Sequence, residues 1–470
     1  VKGWASDKRT KIVCTIGPAS SSPEVLEALI LQGMDVVRLN FSHGTREEHA
    51  RVAREVREIS ARVGRPVAIL GDLSGPKIRV GVMKEGTTLA TGSLVTLTPG
   101  DVVGDPWTVP VNHPGLARDV RVGDAILVAD GTLELRVEAV EGQQVVSRVV
   151  VGGPLPSHKG VNVPTRTLSL PSLTPKDEED LRFAVGNDFD YVAQSFVQSA
   201  EDVARAKAIA EEAGRALPVI AKVERQGALD HLEAILAAAD GVMVARGDLG
   251  VETPLARVPA VQKRVIRLAN ELGKPVTTAT QMLESMVESP RPTRAEATDV
   301  YNAILDGTDA VMLSEESAIG KHPVEAVKVL KAIALEAEAA LARRVKLGGG
   351  AGRDVREAVG SVAVDLAGAL NAVAIVTPTA SGLTARTVAR HRPPLPIVAL
   401  TPDDRVLRRL ALVWGVAPFP SPSPHELDTL MNGARDLLRS EGLPTGSPVV
   451  MTMGYPPGKA HTNMVLVMEI

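Results

Sequence analysis

The chain has 470 residues, a formal net charge of −4 and 44% hydrophobic residues, yet only 2% aromatics. That length allows roughly two to four domains, with cores resting on Val, Leu, Ile and Ala. The lack of a long basic run excludes nucleic acid as a main partner, and no apolar run reaches the roughly 18 residues of a membrane span. The single Cys14 forms no internal disulfide, and the chain begins without an apolar signal region, so a cytoplasmic protein is expected.

Short apolar strands alternate with helices through most of the chain. Strands are predicted at 11–17, 34–40, 66–72, 189–195, 217–223, 240–246, 275–280 and 309–314. Helices are predicted between them at 23–32, 46–62, 176–185, 200–213, 227–239, 258–272, 294–305 and 324–343. The clearest unit is 217–246. An apolar run next to Pro218 leads into a helix with Leu229, Leu232, Ile235 and Leu236 on one face, and then into a second apolar run. Such βαβ units cross right-handed and pair their strands in parallel. Eight such strands with eight helices make the count of a (β/α)₈ barrel, which carries its chemistry at the C-terminal ends of the strands. A doubly wound open sheet is the alternative.

The stretch between Asp72 and Thr174 is too long for a loop. It is rich in Val, Thr, Gly and Pro, with alternating runs at 93–98, 125–127, 133–139 and 144–150. Residues 76–170 are therefore expected to form a small all-β domain inserted at the active rim, either a lid or a passive insertion. The barrel then comprises 1–75 and 171–343. The Gly-rich stretch 347–354 reads as a hinge into a C-terminal open α/β domain at 344–470. Its expected elements are helices at 355–370 and 381–390 and strands at 372–377, 396–401, 448–453 and 464–469.

The strand ends carry the charges. Lys222 and Glu224 are two apart and face the same way, while Arg246 and Asp248 close the next strand. Two acids converging beside an ammonium suit a hard divalent ion with open positions, and the lysine suits a phosphate or a developing oxyanion. A lone Lys-x-Glu reads equally well as a salt-bridged rim, but its company here is extensive. The second strand runs into Arg38, Asn40, Ser42 and His43, and the third ends at Asp72 with Arg79 just beyond. The fourth ends at Ser195, the seventh at Thr280, and the eighth at Ser314, Glu315 and Glu316. Arg38, Arg79 and Lys222 set against Asp72, Glu224 and Asp248 form a phosphoryl-transfer constellation. An aldolase-like or enol-forming metal lyase remains open on the same barrel.

These residues resemble the pyruvate kinase family over essentially the whole chain. The resemblance rests on TIGPAS (15–20), RLNFSHG (38–44), KGVNVP (159–164), KVE (222–224), MVARGDLGVE (243–252), TQMLESM (280–286) and RPTRAE (291–296). It implies transfer of the phosphoryl group of phosphoenolpyruvate to ADP, giving pyruvate and ATP. It also implies Mg²⁺ or Mn²⁺ on Glu224 and Asp248, and Lys222 and Arg38 on the transferring group, with Arg79 on the lid side. Amides at Gly247 and Asp248 would take the substrate carboxylate. Thr280 lies where the enolate is protonated, with Ser314 and Glu316 behind it; an unperturbed hydroxyl is a poor acid, so water is the expected donor. Pro18, Asn40, His43 and Lys159 match the family's nucleotide contacts, although His43 also reads as a capping or core histidine.

Two departures sharpen the expectation. Potassium-binding members carry a Thr after the barrel Asp and a Glu before Ile-x-Arg, where this chain has Leu73 and Lys77. The other potassium ligands, Asn40, Ser42 and Asp72, remain. An ammonium in place of an acid predicts activity without K⁺, with Lys77 supplying the charge. Glu315 and Ser317 stand where many members have Gly and Thr, which leaves the geometry behind Thr280 open. In the C-terminal domain Thr379, Ser381, Gly382 and Thr384 resemble the family's effector loop, where hydroxyls and N–H groups suit a phosphate; Ser381 also reads as a plain N-cap. Ala380 in place of a basic residue favours a monophosphate (glucose 6-phosphate, ribose 5-phosphate or AMP) over fructose bisphosphate. The resemblance further implies a homotetramer with effector-shifted lid closure. With the last residue at Ile470, the phosphohistidine-type domain appended in some bacterial members is not expected. A catalytically dead metabolite sensor would need the loss of Lys222, Glu224, Asp248, Arg38 or Thr280, and all are present.

Overall fold

The computed structural model of the protein describes residues 8–164, 169–344, 354–421, 427–456 and 462–470. Of the expected hinge at 347–354, all but Asp354 lies outside the described residues. Eight strands form a closed barrel: β1 (Lys11–Thr15), β2 (Val36–Asn40), β3 (Ala68–Asp72), β4 (Tyr191–Gln194), β5 (Val219–Val223), β6 (Gly241–Ala245), β7 (Val276–Ala279) and β8 (Ala310–Leu313). Every neighbouring pair is parallel, and β1 pairs with β8 to close the ring. All residues of β1, β3, β5 and β6 are buried, which is why these strands read as continuous apolar runs rather than as alternating ones. Val13, Leu70, Ile220, Met243 and Met312 fill the interior, and Ala411 and Leu412 of the C-terminal unit pack into the same cluster. The open sheet considered from the sequence is thereby excluded.

The outer helices start and stop where local chemistry says they should. Reciprocal capping boxes, Thr45 with Glu48 and Thr293 with Glu296, open Arg46–Val63 and Arg294–Leu305. Gly64, at φ 70°, ends the first of these. One expectation is corrected. The helix predicted at 227–239 is two pieces, Gln226–Asp230 and Leu232–Ala238, because His231 leaves helical geometry at φ −118° and ψ 19°. The apolar face survives the break, with Leu229, Leu232, Ile235 and Leu236 all buried.

Between β3 and the helix Pro175–Gly186 the chain forms a six-stranded sheet with a core of its own. The four runs read from the sequence are there, at Leu94–Pro99, Ala125–Val128, Leu133–Glu141 and Gln144–Val151. The edge strand Thr108–Val111, which contains Pro110, and the two-residue strand Val161–Asn162 carry too little alternation to be read. In the C-terminal unit the sheet order is Val416–Pro420, Ile397–Thr401, Ala374–Pro378, Pro448–Met453, Met464–Glu469, with only the last strand antiparallel. Val416–Pro420 escapes prediction for the same reason, since two prolines confine it to the edge. The helix expected at 381–390 is shorter, Leu383–Ala389.

Buried charge fixes this unit under the barrel. Arg392 donates to Asp309 at 3.0 and 2.9 Å and to Asn270 at 2.7 Å, and stacks on Trp414. The Tyr191 hydroxyl at the foot of β4 donates to the carbonyl of Arg409 at 2.8 Å. Among the described residues no helix is long and apolar enough to cross a membrane.

Candidate active site

The C-terminal ends of β2, β3, β4 and β5 bring two cations and two carboxylates into one buried cluster. Lys222 Nζ lies 2.7 Å from Ser195 Oγ, 2.8 Å from Glu224 Oε1 and 3.2 Å from Asp72 Oδ1. Arg38 donates through Nε to Asp72 Oδ2 at 2.7 Å and through Nη1 to Thr15 Oγ1 at 2.8 Å. The Phe196 amide donates to Glu224 Oε2 at 2.7 Å. Asp72 and Glu224 are each about 1% exposed. Burial disfavours the charge on Lys222, but Asp72 and Glu224 outweigh it and hold the ammonium above the usual lysine range. Ser195, Thr15 and the Phe196 amide were not singled out as site groups from sequence. In the sequence Ser195 reads only as a strand end, Thr15 as the close of an apolar strand, and a backbone donor leaves no signal.

Asp72 titrates below its ordinary 3.8, because burial opposes its charge while Lys222 and Arg38 more than compensate. A carboxylate depressed in this way stabilises the fold fully above its unfolded value and loses that contribution as pH falls through the folded one. The melting-temperature gap between wild type and Asp72→Asn is therefore expected to be widest above pH 3.8 and to close on acidification, as thermal melts across the acid range would record.

Glu224 behaves oppositely. Burial pushes it up, Lys222 pulls it down, and the neighbouring Asp248 pushes it up again. Its Oε1 and Asp72 Oδ1 face Lys222 at ion-pair distance but outside hydrogen-bond geometry, so both are buried acceptors with no hydrogen bond among the described residues. Two repelling acids with an unused buried acceptor suit a divalent ion. No three His, Cys or carboxylate groups converge as a complete metal cluster among the described residues. The donor set therefore fits an ion that takes its other oxygens from substrate and water.

Asp248 sits in the first turn of the helix Arg246–Glu252, 29% exposed, and Lys77 Nζ reaches it at 3.2 Å. The Gly247 amide, expected to be free for a substrate carboxylate, is committed here to Thr280 Oγ1 at 2.8 Å. That hydroxyl in turn donates to the Ala279 carbonyl at 2.6 Å. Thr280 and Gln281 both have positive φ, 69° and 53°, a costly conformation for a β-branched residue. Arg246 holds this turn, donating to the carbonyls of Ala279 (3.2 Å) and Thr280 (2.6 Å) while anchored on Asp299 at 2.6 Å. Behind it, Glu316 is pushed up by burial and accepts from the amides of Leu283 (3.0 Å) and Ser314 (2.7 Å). Ser314 Oγ is buried without a hydrogen-bond partner among the described residues. Ser317 Oγ ties the same loop to the Thr15 carbonyl at 2.8 Å.

The outer residues face solvent. Pro18, Ser42, His43, Arg79 and Lys159 are exposed, and Asn40 Oδ1 accepts from the Ser42 amide at 3.1 Å. His43 is neither a cap nor a core residue; its carbonyl bonds Nε2 of the buried His49 at 2.9 Å. Arg79 is held within the insert, donating to the His158 carbonyl at 3.1 Å. In the C-terminal loop Ser381 is exposed and caps nothing. Gly382, at φ 78°, starts the helix, Thr379 is half-buried, and Thr384 is buried with its hydroxyl on Thr462 at 2.9 Å.

A (β/α)₈ barrel whose C-terminal rim sets an ammonium and a guanidinium among buried carboxylates has the layout of a phosphotransferase. Residues 7–327 match the family model "Pyruvate kinase, barrel domain" and residues 357–468 match "Pyruvate kinase, alpha/beta domain". The pyruvate kinase of Geobacillus stearothermophilus is 47% identical over 469 residues, covering 98% of this chain and 80% of that one. Corynebacterium efficiens pyruvate kinase is 47% identical over 462 residues, covering 98% and 97%, and that of Staphylococcus aureus strain MRSA252 is 45% identical over 469, covering 98% and 80%. The chain belongs to the pyruvate kinase family, the glycolytic phosphotransferases that act on phosphoenolpyruvate and ADP.

Proposed function

We propose that the rim works as a pyruvate kinase site in which Lys222 is the central electrophilic group, and the observation that carries this reading is its burial among Ser195, Glu224 and Asp72. The ammonium sits where charge spreads over the phosphoryl oxygens, with Arg38 held beside it by Asp72 and Thr15. Glu224 and Asp248 would hold Mg²⁺ or Mn²⁺, which supplies neutralising charge to phosphoryl and enolate oxygens. The Arg246-clamped turn fixes Thr280 at the face where the enolate takes its proton, with Ser314 and Glu316 holding the loop behind it. Gly247 and Asp248 lie in the first turn of the helix Arg246–Glu252, which would face the substrate carboxylate once the Gly247 amide leaves Thr280 Oγ1. Exposed Pro18, His43 and Lys159, with Asn40, line the nucleotide side, and Arg79 joins them when the insert closes.

On this reading 1–75 and 171–343 are the catalytic barrel, 76–170 the lid and 344–470 the regulatory domain. The loop at Thr379, Ser381, Gly382 and Thr384 takes a phosphorylated monophosphate effector, and the working form is a homotetramer. Independence from K⁺ through Lys77 belongs to the same reading. Pyruvate formation from phosphoenolpyruvate and ADP with Mg²⁺ is expected, with glucose 6-phosphate, ribose 5-phosphate or AMP lowering the half-saturating phosphoenolpyruvate concentration. Absence of pyruvate under all these conditions would sink the catalytic reading; turnover indifferent to every monophosphate would sink only the effector loop.

A further inference from the structure

The insert touches the short helix Arg246–Glu252 at two places one helical turn apart. Its outgoing segment reaches Asp248 through Lys77 at 3.2 Å. Its returning strand reaches Glu252, where Asn162 Nδ2 donates to Oε1 at 2.7 Å. The second contact is the better built. Asn162 is 6% exposed and Glu252 5% exposed, so each group depends on the other for its hydrogen bond. Burial pushes the Glu252 carboxyl up, and Asn162 and Arg225 pull it back toward the charged form. Arg225 follows the rim acid Glu224 directly. Its guanidinium lies 4.5 Å from the centre of the Phe196 ring, with Nε and Nη1 buried and without hydrogen-bond partners among the described residues. Phe196 is the residue whose amide holds Glu224. Glu252 is therefore the barrel group that the returning segment of the insert grips, and Arg225, next to the rim acid Glu224, favours its charged form from beyond ion-pair distance.

We propose that Asn162 and Glu252 are a positioning pair that seats the returning strand of the insert over the rim, so that Glu252, in the barrel, sets the affinity for ADP without touching it. The segment seated this way carries Lys159 three residues before Asn162, and the proposal rests on the reading of Lys159 as a nucleotide contact. The phosphoenolpyruvate half of the site stands on barrel residues alone and does not depend on this pair.

A charge-repair experiment tests it. Asn162→Asp sets two carboxylates against each other at nearly constant shape. It is expected to raise the KM for ADP about tenfold while the KM for phosphoenolpyruvate, and calorimetric binding of phosphoenolpyruvate to the free enzyme, stay near wild type. Adding Glu252→Gln restores a donor–acceptor pair and is expected to bring the KM for ADP back. Asn162→Ala, which removes only the amide, guards against misfolding of the charged variant and is expected to raise the KM for ADP about threefold. An unchanged KM for ADP in both Asn162 variants, an equal rise for both substrates, or a defect in Asn162→Asp that Glu252→Gln does not repair would overturn the proposal. Lys159→Met run alongside separates the two readings. If it leaves the KM for ADP unchanged, the nucleotide role of Lys159 fails, whereas repair by Glu252→Gln reports on the pair alone.

Discussion

Lys222→Met is expected to lower kcat by about 10³-fold or more, with phosphoenolpyruvate binding weakened far less. The asymmetry follows from when each interaction is made. In the free protein the ammonium is satisfied by Glu224, Asp72 and Ser195. As the phosphoryl group departs, negative charge grows on its oxygens, and a fixed cation in a water-poor cleft gains most at that moment. Removing it costs transition-state stabilisation more than ground-state affinity. It also leaves Asp72 and Glu224 buried with one fewer counter-charge, so a lower melting temperature should accompany the kinetic loss. Lys222→Arg separates the two effects. It keeps the charge and should recover most of the melting temperature, yet a planar guanidinium cannot occupy the point position between Ser195 Oγ and Glu224 Oε1, so kcat should stay low. Steady-state kinetics with calorimetric binding of phosphoenolpyruvate and thermal melts read all three. A kcat for Lys222→Met within tenfold of wild type would remove Lys222 from the centre of the mechanism.

The barrel was legible because strands buried on both faces print as uninterrupted apolar runs, and because their polar ends stand out against those runs. Lys222 and Glu224 illustrate this: two residues apart at the end of a strand, they had to share a face, and they do, at 2.8 Å. What stayed hidden depends on partners far away in the chain or on backbone groups. Arg246 reads as a charged strand end beside Asp248, but its partners include groups of β7, the turn after it and the helix at Asp299. The left-handed backbone at Thr280 and Gln281 contradicts local preference and is held by those tertiary bonds together with the Gly247 amide. Strand ends with prolines, such as Val416–Pro420, lack the alternation that would announce them. Ser381 reads as a cap from its place before an apolar stretch, but the helix starts after Gly382, whose positive φ turns the chain without any side-chain bond.

The response to potassium carries the second large effect. Wild-type turnover is expected to change by less than about twofold when KCl replaces tetramethylammonium chloride at constant ionic strength, since the positive charge is already covalent. Leu73 is buried in the barrel core at 1% exposure and brings no hydroxyl to the rim. Asp72 is already engaged by Arg38 and Lys222, so a monovalent ion gains little by joining it. Lys77 pairs with Asp248, and on the proposed reading its ammonium supplies the positive charge that an ion from solution would otherwise bring. Lys77→Met should therefore lose about 10²-fold in rate and remain insensitive to KCl, because neither an ammonium nor a ligand for K⁺ remains. Lys77→Glu combined with Leu73→Thr restores both missing ligand types, and its rate should be low in tetramethylammonium and rise steeply with KCl. Strong stimulation of the wild type by KCl, or full activity of Lys77→Met without it, would return the positive charge to the solvent ion and leave Lys77 as an ordinary partner of Asp248.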